Sequence, residues 1–405
     1  MKIAGKISII ILTVVFFTQT VLPVYASQEV FVPRTSAPIA VVMDYYTGEI
    51  LFEKNMEQRW IPASMTKSLT AFIVYQEIEA GNLSLDTEIL VSAEASRFST
   101  NRSVPGSYVP LPSGEYITVD MLLRLLMIPS GNAAAVVFAE HISGSEEIFV
   151  KRMNETAASL GMYTEFTNSH GAYVHFSNAY SIALLVREFI TQFPDILHIT
   201  SMRSVNFRGR TYRNTNHLVS RSMFTEADGF KTGSLRQAGW NHSTTAERNG
   251  RRIIAVVMNT SSSSARQIES RTLLNFGFDE IERREAERTA NVRIFHDGEF
   301  IPLQSKPEFY NGKFLLPAND VLEHLGYTLQ WNEEHGLVTV THENQPVATI
   351  LANRDLLIIG GEIKTVQMPA QIIKNNIYTS IESIGLLTGT TADQCLETGV
   401  IRFKK

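Results

Sequence analysis

The chain has 405 residues, 44% of them hydrophobic and 19% charged, with a formal net charge of −5. That length accommodates two or three domains, each able to bury a core. The mild charge, with no long block of one sign, leaves no electrostatic footprint for nucleic acid, and the single cysteine, Cys395, excludes an internal disulfide.

The first residues carry a secretory pattern. Lys2 and Lys6 precede an apolar run over 9–17 broken only by Thr13, and Val24-Tyr25-Ala26 offers cleavage after Ala26, so 1–26 reads as a signal peptide. The run is short for a membrane span of ~20 residues, which favours cleavage over a retained anchor. The chain is therefore expected to act outside the cytoplasm. After a lead over 27–36, strands are expected at 39–44 and 49–53 around the turn Tyr46-Thr47-Gly48. Pro62 opens a helix whose apolar period runs through Leu69, Phe72, Ile73 and Ile78 and ends at Gly81. The polar stretch 92–114 reads as surface loops. Two apolar helices, 119–128 and 133–142, are interrupted by Pro129-Ser130-Gly131-Asn132. Further helices are expected at 145–160 and 178–193, and strands return after Arg210, with a tight turn at Asn249-Gly250. Residues 261–276 read as a closing helix. Strands at both ends with helices between them predict an α/β (α+β) domain. One antiparallel sheet flanked by helices collects both termini, beside a helical lobe. Residues 280–289, a dense run of both charge signs, are expected to be a charged linker in the form of a solvated connector helix. Beyond it come short strands, a turn at Asn311-Gly312 and a short helix closed by Gly326. A weaker echo over 374–385, with Gly385 as its terminator, makes a small α+β region of two degenerate repeats.

Ser64-Met65-Thr66-Lys67 places a hydroxyl and an amine three positions apart, on one helix face at the positive end of the helix. A serine attacks only once a base takes its proton. A lysine is that base only when desolvation or a neighbouring cation lowers its pKa. Alone, the four residues fit an ordinary capped helix equally well. Two further motifs follow in order, Ser130-Gly131-Asn132 and Lys231-Thr232-Gly233. The first and third are unique in the chain. Ser-x-Asn recurs at Ser99 and Ser204, but Ser130 alone breaks two apolar helices, where buried polar groups need partners. His170 and His175 lie on a loop without carboxylate or cysteine company, and His296, His324, His335 and His342 are scattered. They are expected to be solvated or hydrogen-bonded imidazoles, with no metal site.

The three motifs together form the set of serine β-lactam-recognising enzymes. Residues 37–279 resemble a D-alanyl-D-alanine carboxypeptidase of the low-molecular-mass serine penicillin-binding protein family. The likeness extends to Asp44-Tyr45-Tyr46-Thr47-Gly48-Glu49-Ile50-Leu51, Pro62-Ala63, Asn168-Ser169-His170-Gly171, Asp228-Gly229-Phe230 and Gly250-Arg251-Arg252-Ile253-Ile254-Ala255-Val256. Ala133 and Ala172 stand where the family often has Asp and Leu. The resemblance implies a β-lactamase/transpeptidase-like fold and release of the terminal D-Ala from peptidoglycan stem pentapeptides, with no cofactor. In its terms Ser64 is the nucleophile, Lys67 the base and Ser130 the proton relay to the leaving amine. Asn132 holds the substrate backbone and Lys67. Lys231 supplies a positive field and, with Thr232 in the Lys231-Thr232-Gly233 motif, receives the terminal carboxylate. Backbone N–H groups of Ser64 and Ser234 are the candidates for the oxyanion. β-lactam antibiotics are the implied covalent inhibitors. A β-lactamase is the first alternative, but no Glu-x-x-Leu-Asn lies between Ser130 and Lys231. A wall-binding module with a vestigial site is the second, but every bond-making residue is present.

Residues 290–405 resemble the two-repeat stalk domain of secreted Gram-positive wall proteins and of copper amine oxidase N-termini. The likeness rests on Asn311-Gly312-Lys313-Phe314-Leu315-Leu316-Pro317 and Leu325-Gly326, without copper ligands. This region is expected to space the enzyme or contact cell-wall polymer. The end, Arg402-Phe403-Lys404-Lys405, lacks the amphipathic membrane foot of many relatives. The expected location is secreted or extracytoplasmic, in the cell wall or at the outer face of the cytoplasmic membrane.

Overall fold

A computed structural model of the chain describes residues 32–405 apart from 102, 375 and 397. The secretory pattern of 1–26 lies outside the described residues. The chain opens with β1 (Ile39–Asp44) and β2 (Ile50–Lys54), then enters α1 (Lys67–Glu79), β3 (Glu88–Leu90), α2 (Ala93–Thr100) and β4 (Tyr116–Thr118). The helical lobe continues with α3 (Val119–Met127), α4 (Asn132–Ser143), α5 (Glu146–Ser159), α6 (Ala179–Gln192) and α7 (Ile196–Thr200). A small hairpin of β5 (Ser204–Phe207) and β6 (Arg210–Arg213) and the short α8 (His217–Ser220) lead to β7 (Ala227–Leu235), β8 (Gly239–Arg248) and β9 (Arg251–Thr260). The closing helix is α9 (Ser263–Ala290).

The central sheet runs β2-β1-β9-β8-β7, antiparallel throughout, so the first strand pairs with the last and β7 is a free edge. All six residues of β1 are buried, as a strand covered on both faces requires. Alternation sends Ile39, Val41 and Met43, with Ile254, Val256 and Met258, into the helical lobe. Ala40 and Val42, with Ile253, Ala255 and Val257, turn toward α9. The helix starts are legible locally: Ser92, Thr118, Ser145, Asn178 and Ser262 each accept a hydrogen bond from the N–H three residues on.

Two expectations are corrected here. The stretch 92–114 is not only surface loop: it holds α2 and buries Ala95, Phe98, Val104, Val109 and Leu111 in the helical core. The charged segment 280–289 is helical as expected, but it is not a separate, solvated connector. It is the last third of one 28-residue helix, about 42 Å long at 1.5 Å per residue, with Glu280 and Glu285 each only 8% exposed. Glu280 pairs with Arg283 and Arg284, while Arg284 and Arg288 both reach Glu49 on the loop before β2. The pairs three and four apart brace the helix itself, and the two arginines on Glu49 dock it.

Residues beyond α9 build a second core around Ile294, Phe314, Leu316, Val321, Ile350 and Phe403. A hairpin followed by a helix occurs twice: Glu308–Tyr310 with Lys313–Pro317 before Ala318–His324, and Gln371–Ile373 with Asn376–Ser380 before Ile381–Thr388. The two units pair through Leu315↔Ser380, Leu316↔Thr379 and Pro317↔Tyr378. Gly385 does not end the second helix as expected; it lies within it, where a Cβ would stand 2.9 Å from the Thr390 carbonyl oxygen. The terminator is Gly389, at φ 66°. A five-stranded antiparallel meander over 327–365 and a four-stranded sheet that includes the chain end complete this region. The turn at Gly250 abuts Tyr310, and the turn at Gly312 abuts Tyr46 and Thr47.

Helix α9 lies on the sheet at Gly277, where a Cβ would sit 2.7 Å from Ile253 Cγ2 and 2.9 Å from Val42 Cγ1. Gly277→Val should therefore overpack this contact and cost about 1–3 kcal/mol, lowering the urea midpoint. An unchanged midpoint would mean that α9 can lift away from the sheet.

Candidate active site

Ser64 sits in a four-residue 3-10 turn, Ala63–Thr66, that feeds directly into α1. Positions i and i+3 eclipse in such a turn, so Ser64 and Lys67 project to one side. Ser64 is half-buried, whereas Lys67 is wholly enclosed. Lys67 Nζ lies 3.1 Å from Ser64 Oγ and 2.7 Å from Asn132 Oδ1, and it also donates to the His170 carbonyl. Among the described residues no carboxylate pairs with it. Burial holds its pKa well below the ordinary lysine value, and the positive charge of Lys231 lowers it further.

The break between α3 and α4 supplies the second motif. Ser130 adopts φ 67°, a left-handed conformation rare for a residue with a Cβ. The Gly131 N–H turns back onto the Leu125 carbonyl at 2.8 Å. Asn132 then starts α4, its Oδ1 toward Lys67 and its Nδ2 donating to the Pro105 carbonyl at 2.9 Å. At Gly106 a Cβ would meet Asn132 Nδ2 at 2.6 Å. The segment around Pro105 is thus a wall of the site, a role hidden in its loop-like composition. The other two Ser-x-Asn matches stand apart: Ser99 Oγ donates to the Ser96 carbonyl at 2.7 Å, and Ser204 opens β5.

The third motif lies on the free edge strand β7. Lys231 is 1% exposed, and its Nζ donates to Ser130 Oγ at 2.9 Å and to the Thr232 carbonyl at 3.1 Å. Burial, and then the charge of Arg266, lower its pKa to about 7. Thr232 Oγ1 donates to Thr215 Oγ1 at 2.7 Å. Gly233 is required by space. A Cβ there would stand 2.4 Å from the Pro62 carbonyl oxygen and 3.2 Å from the Ser64 nitrogen, so only glycine lets β7 approach the Ser64 turn. Ser234, next along the strand, is exposed.

Seven of the eight expected residues thus meet around one pocket, and Ser234 continues the same strand. Sequence reasoning missed others. Arg266 of α9 is buried, with Nη1 3.3 Å from the Gly233 carbonyl and Nη2 3.4 Å from that of Thr215; burial lowers its pKa to about 10. Nothing in a closing-helix pattern marks such a residue. His170 and His175 are not solvated but fully enclosed and hydrogen-bonded. Thr66 Oγ1 donates to the Ala63 carbonyl at 2.8 Å and lies 2.6 Å from His175 Nε2, so His175 carries its proton on Nε2. Its Nδ1 accepts from Asn168 Nδ2 at 3.1 Å. This chain of bonds braces Ala63, itself left-handed at φ 51°. Burial, with Lys67 nearby, lowers the His175 pKa to about 4, so the brace stays neutral at working pH.

The arrangement gives a hydroxyl beside an amine able to take its proton. A second hydroxyl is bonded to a second amine, and a free strand edge lies alongside. Comparison with known proteins agrees with this chemistry. Residues 26–262 match the model of the D-alanyl-D-alanine carboxypeptidase family of peptidases, and residues 295–400 match the copper amine oxidase N-terminal domain. The chain is 34% identical over 298 residues to D-alanyl-D-alanine carboxypeptidase DacD of Escherichia coli, covering 71% of this chain and 76% of that protein. Among solved structures it is similar to penicillin binding protein 6B of Escherichia coli, at 29% identity and a TM-score of 0.59, over 79% of this chain and 95% of that one. It is also similar to the cefotaxime-bound form of penicillin-binding protein D2 of Listeria monocytogenes, at 28% identity and a TM-score of 0.55, over 60% of this chain and 98% of that one. Because the family model matches more than half of the chain and the α+β fold is that of penicillin-binding proteins, this protein belongs to the D-alanyl-D-alanine carboxypeptidase family.

Proposed function

We propose that the protein is a serine-type D-Ala-D-Ala carboxypeptidase that removes the terminal D-Ala from peptidoglycan stem pentapeptides. The observation that carries this reading is the 3.1 Å contact between Ser64 Oγ and Lys67 Nζ, an amine too deeply buried to hold its proton readily. Neutral Lys67 takes the Ser64 proton as Oγ attacks the penultimate D-Ala carbonyl. The N–H groups of Ser64 and Ser234 receive the oxyanion, each such donor being worth roughly 3 kcal/mol. Ser130 hands its proton to the departing D-Ala nitrogen as the C–N bond breaks and is reprotonated from Lys67, which returns Lys67 to its neutral form, while the hydrogen bond from Lys231 Nζ orients the Ser130 hydroxyl. Thr232 and Lys231 hold the terminal carboxylate, and Asn132 holds the substrate backbone. Water then attacks the ester on Ser64, with Lys67 again as base, and releases the shortened peptide. A β-lactam presents the same acyl group and leaves Ser64 blocked.

The catalytic part is assigned to 37–279 and the stalk-like part to 290–405, both outside the cytoplasm and at the wall. The stalk-like part is assigned the further role of contacting wall polymer. In a pelleting assay with purified peptidoglycan, the full Ser64→Ala chain should sediment and the same chain ended at residue 290 should stay in solution. Equal sedimentation would remove that role.

Ser64→Ala should lower D-Ala release from a pentapeptide at least about 10³-fold and abolish labelling by fluorescent penicillin, with melting unchanged. Retained release would contradict the assignment. In Lys231→Ala the cation that helps depress Lys67 is gone, so the Lys67 pKa rises. The base is the deprotonated form, so the acid limb of the penicillin acylation profile should move to higher pH. Acylation at pH 7 should fall about 10²-fold. An unshifted limb would mean that Lys231 only anchors substrate.

A further inference from the structure

A cleft of about 900 Å³ begins at Ser234 and continues past the carboxyl end of β7. Arg236 in the β7–β8 connection, the indoles of Trp60 and Trp240, and Ser36 from the lead segment wall it. Arg236 is the only formally charged side chain in the lining. It is exposed and makes no ion pair or hydrogen bond with any described residue. Arg59 pairs with Glu165, Arg97 with Glu94 and Arg248 with Glu226, whereas Arg213, Arg221, Arg271 and Arg354 are exposed without an ion pair to a described residue, so what sets Arg236 apart is its place in the cleft wall.

The cleft is rigidly built. Trp60 Nε1 donates to the Ala238 carbonyl at 2.9 Å, pinning the hairpin, and Thr260 Oγ1 donates to the Trp240 carbonyl at 2.7 Å. Asn241 accepts from the Asn259 N–H at 2.8 Å and donates to the Ile61 carbonyl at 2.8 Å, tying the cleft floor to the segment that precedes Ser64. The Ser36 wall is held by Glu269, whose carboxylate accepts from the hydroxyls of Thr35 and Ser36 and so is turned to the backbone rather than the cleft. The Arg266 guanidinium lies 5.1 Å from the Trp240 ring centre and adds to the positive field.

A peptide whose terminal carboxylate sits at Thr232 and whose attacked carbonyl sits at Ser234 lies antiparallel to β7. At about 3.3 Å per residue, its residues one to two positions before the penultimate D-Ala fall beside Arg236. We propose that this cleft is an upstream subsite of the proposed carboxypeptidase. There Arg236 selects substrates that carry a free carboxylate one to two residues before the terminal D-Ala-D-Ala, while Trp240 covers the intervening aliphatic chain. The proposal rests on the reading that Ser64 attacks such a peptide. A guanidinium free of other partners meets a carboxylate through two parallel N–H···O bonds, which a carboxamide cannot match in charge.

The test compares kcat/KM for two acylated tetrapeptides ending in D-Ala-D-Ala, identical except for a free carboxylate or a carboxamide two residues upstream. The full chain should prefer the carboxylate about fivefold at low ionic strength, as expected for an exposed ion pair, and the ratio should shrink in 0.5 M salt. In Arg236→Gln the ratio should fall to about one, and in Arg236→Lys it should be partly kept. A ratio of one in the unaltered chain, or a ratio that survives Arg236→Gln, overturns the subsite while leaving the carboxypeptidase reading intact. Failure of both peptides together with no penicillin labelling would overturn the reading itself and the subsite with it.

Discussion

Two lysine amines, carried by elements more than 160 positions apart in the chain, are buried together, and among the described residues no carboxylate is bonded to either. An uncompensated ammonium is costly to bury, so the fold disfavours the proton rather than neutralising the charge. The unfolded chain keeps a lysine protonated up to its ordinary value, whereas folded Lys231 releases its proton near 7. Between those values the unfolded state binds more protons, so this residue makes the fold more stable as pH rises through the window and less stable below it. The large apolar core of the helical lobe offsets that burden. The same strain makes Lys67 a base.

Holding such a pocket together takes unusual backbone. Ala63, just before the nucleophile, and Ser130, the relay, both carry side chains at positive φ. Conformations of that kind persist where surrounding bonds over-determine them. At Ala63 the bonds are the Thr66–His175–Asn168 chain and the close approach of Gly171, where a Cβ would stand 2.1 Å from the Ala63 oxygen. At Ser130 they are the Gly131 turn onto Leu125 and the bridge between Gly131 and Ser107. The buried His175 is thus a structural brace.

Helix α9 links the site to the rest of the chain. Its first turns carry Arg266, which bonds the carbonyl of Gly233, and its last turns carry the Glu280–Arg284–Arg288 network onto Glu49. The Arg288 guanidinium also lies 5.2 Å from the Phe309 ring centre in the second core. One continuous helix therefore spans from the edge of the catalytic pocket to the stalk-like region, where two glycine-tipped turns make further contacts.

The local steps of this structure were legible in residues alone. The apolar runs of the first strands, the periodic helices with their Pro and Gly punctuation and the three short motifs all depend on neighbours in the chain, which is why pattern reveals them. The second hairpin–helix unit could be recognised from its echo, but its terminator was misplaced at Gly385 because a close backbone approach and a helix end call for the same residue. The unity of α9 was misjudged because a run of mixed charge looks solvated until Glu49, some 230 positions earlier, is seen to meet it. Arg266, the His175 brace and the Pro105 wall had no signal at all, since each acts only through segments brought together by folding. The order of residues decided which chemical groups this protein possesses; burial and long-range contact decided which of them can give up a proton, because desolvation exists only once the chain has closed around them.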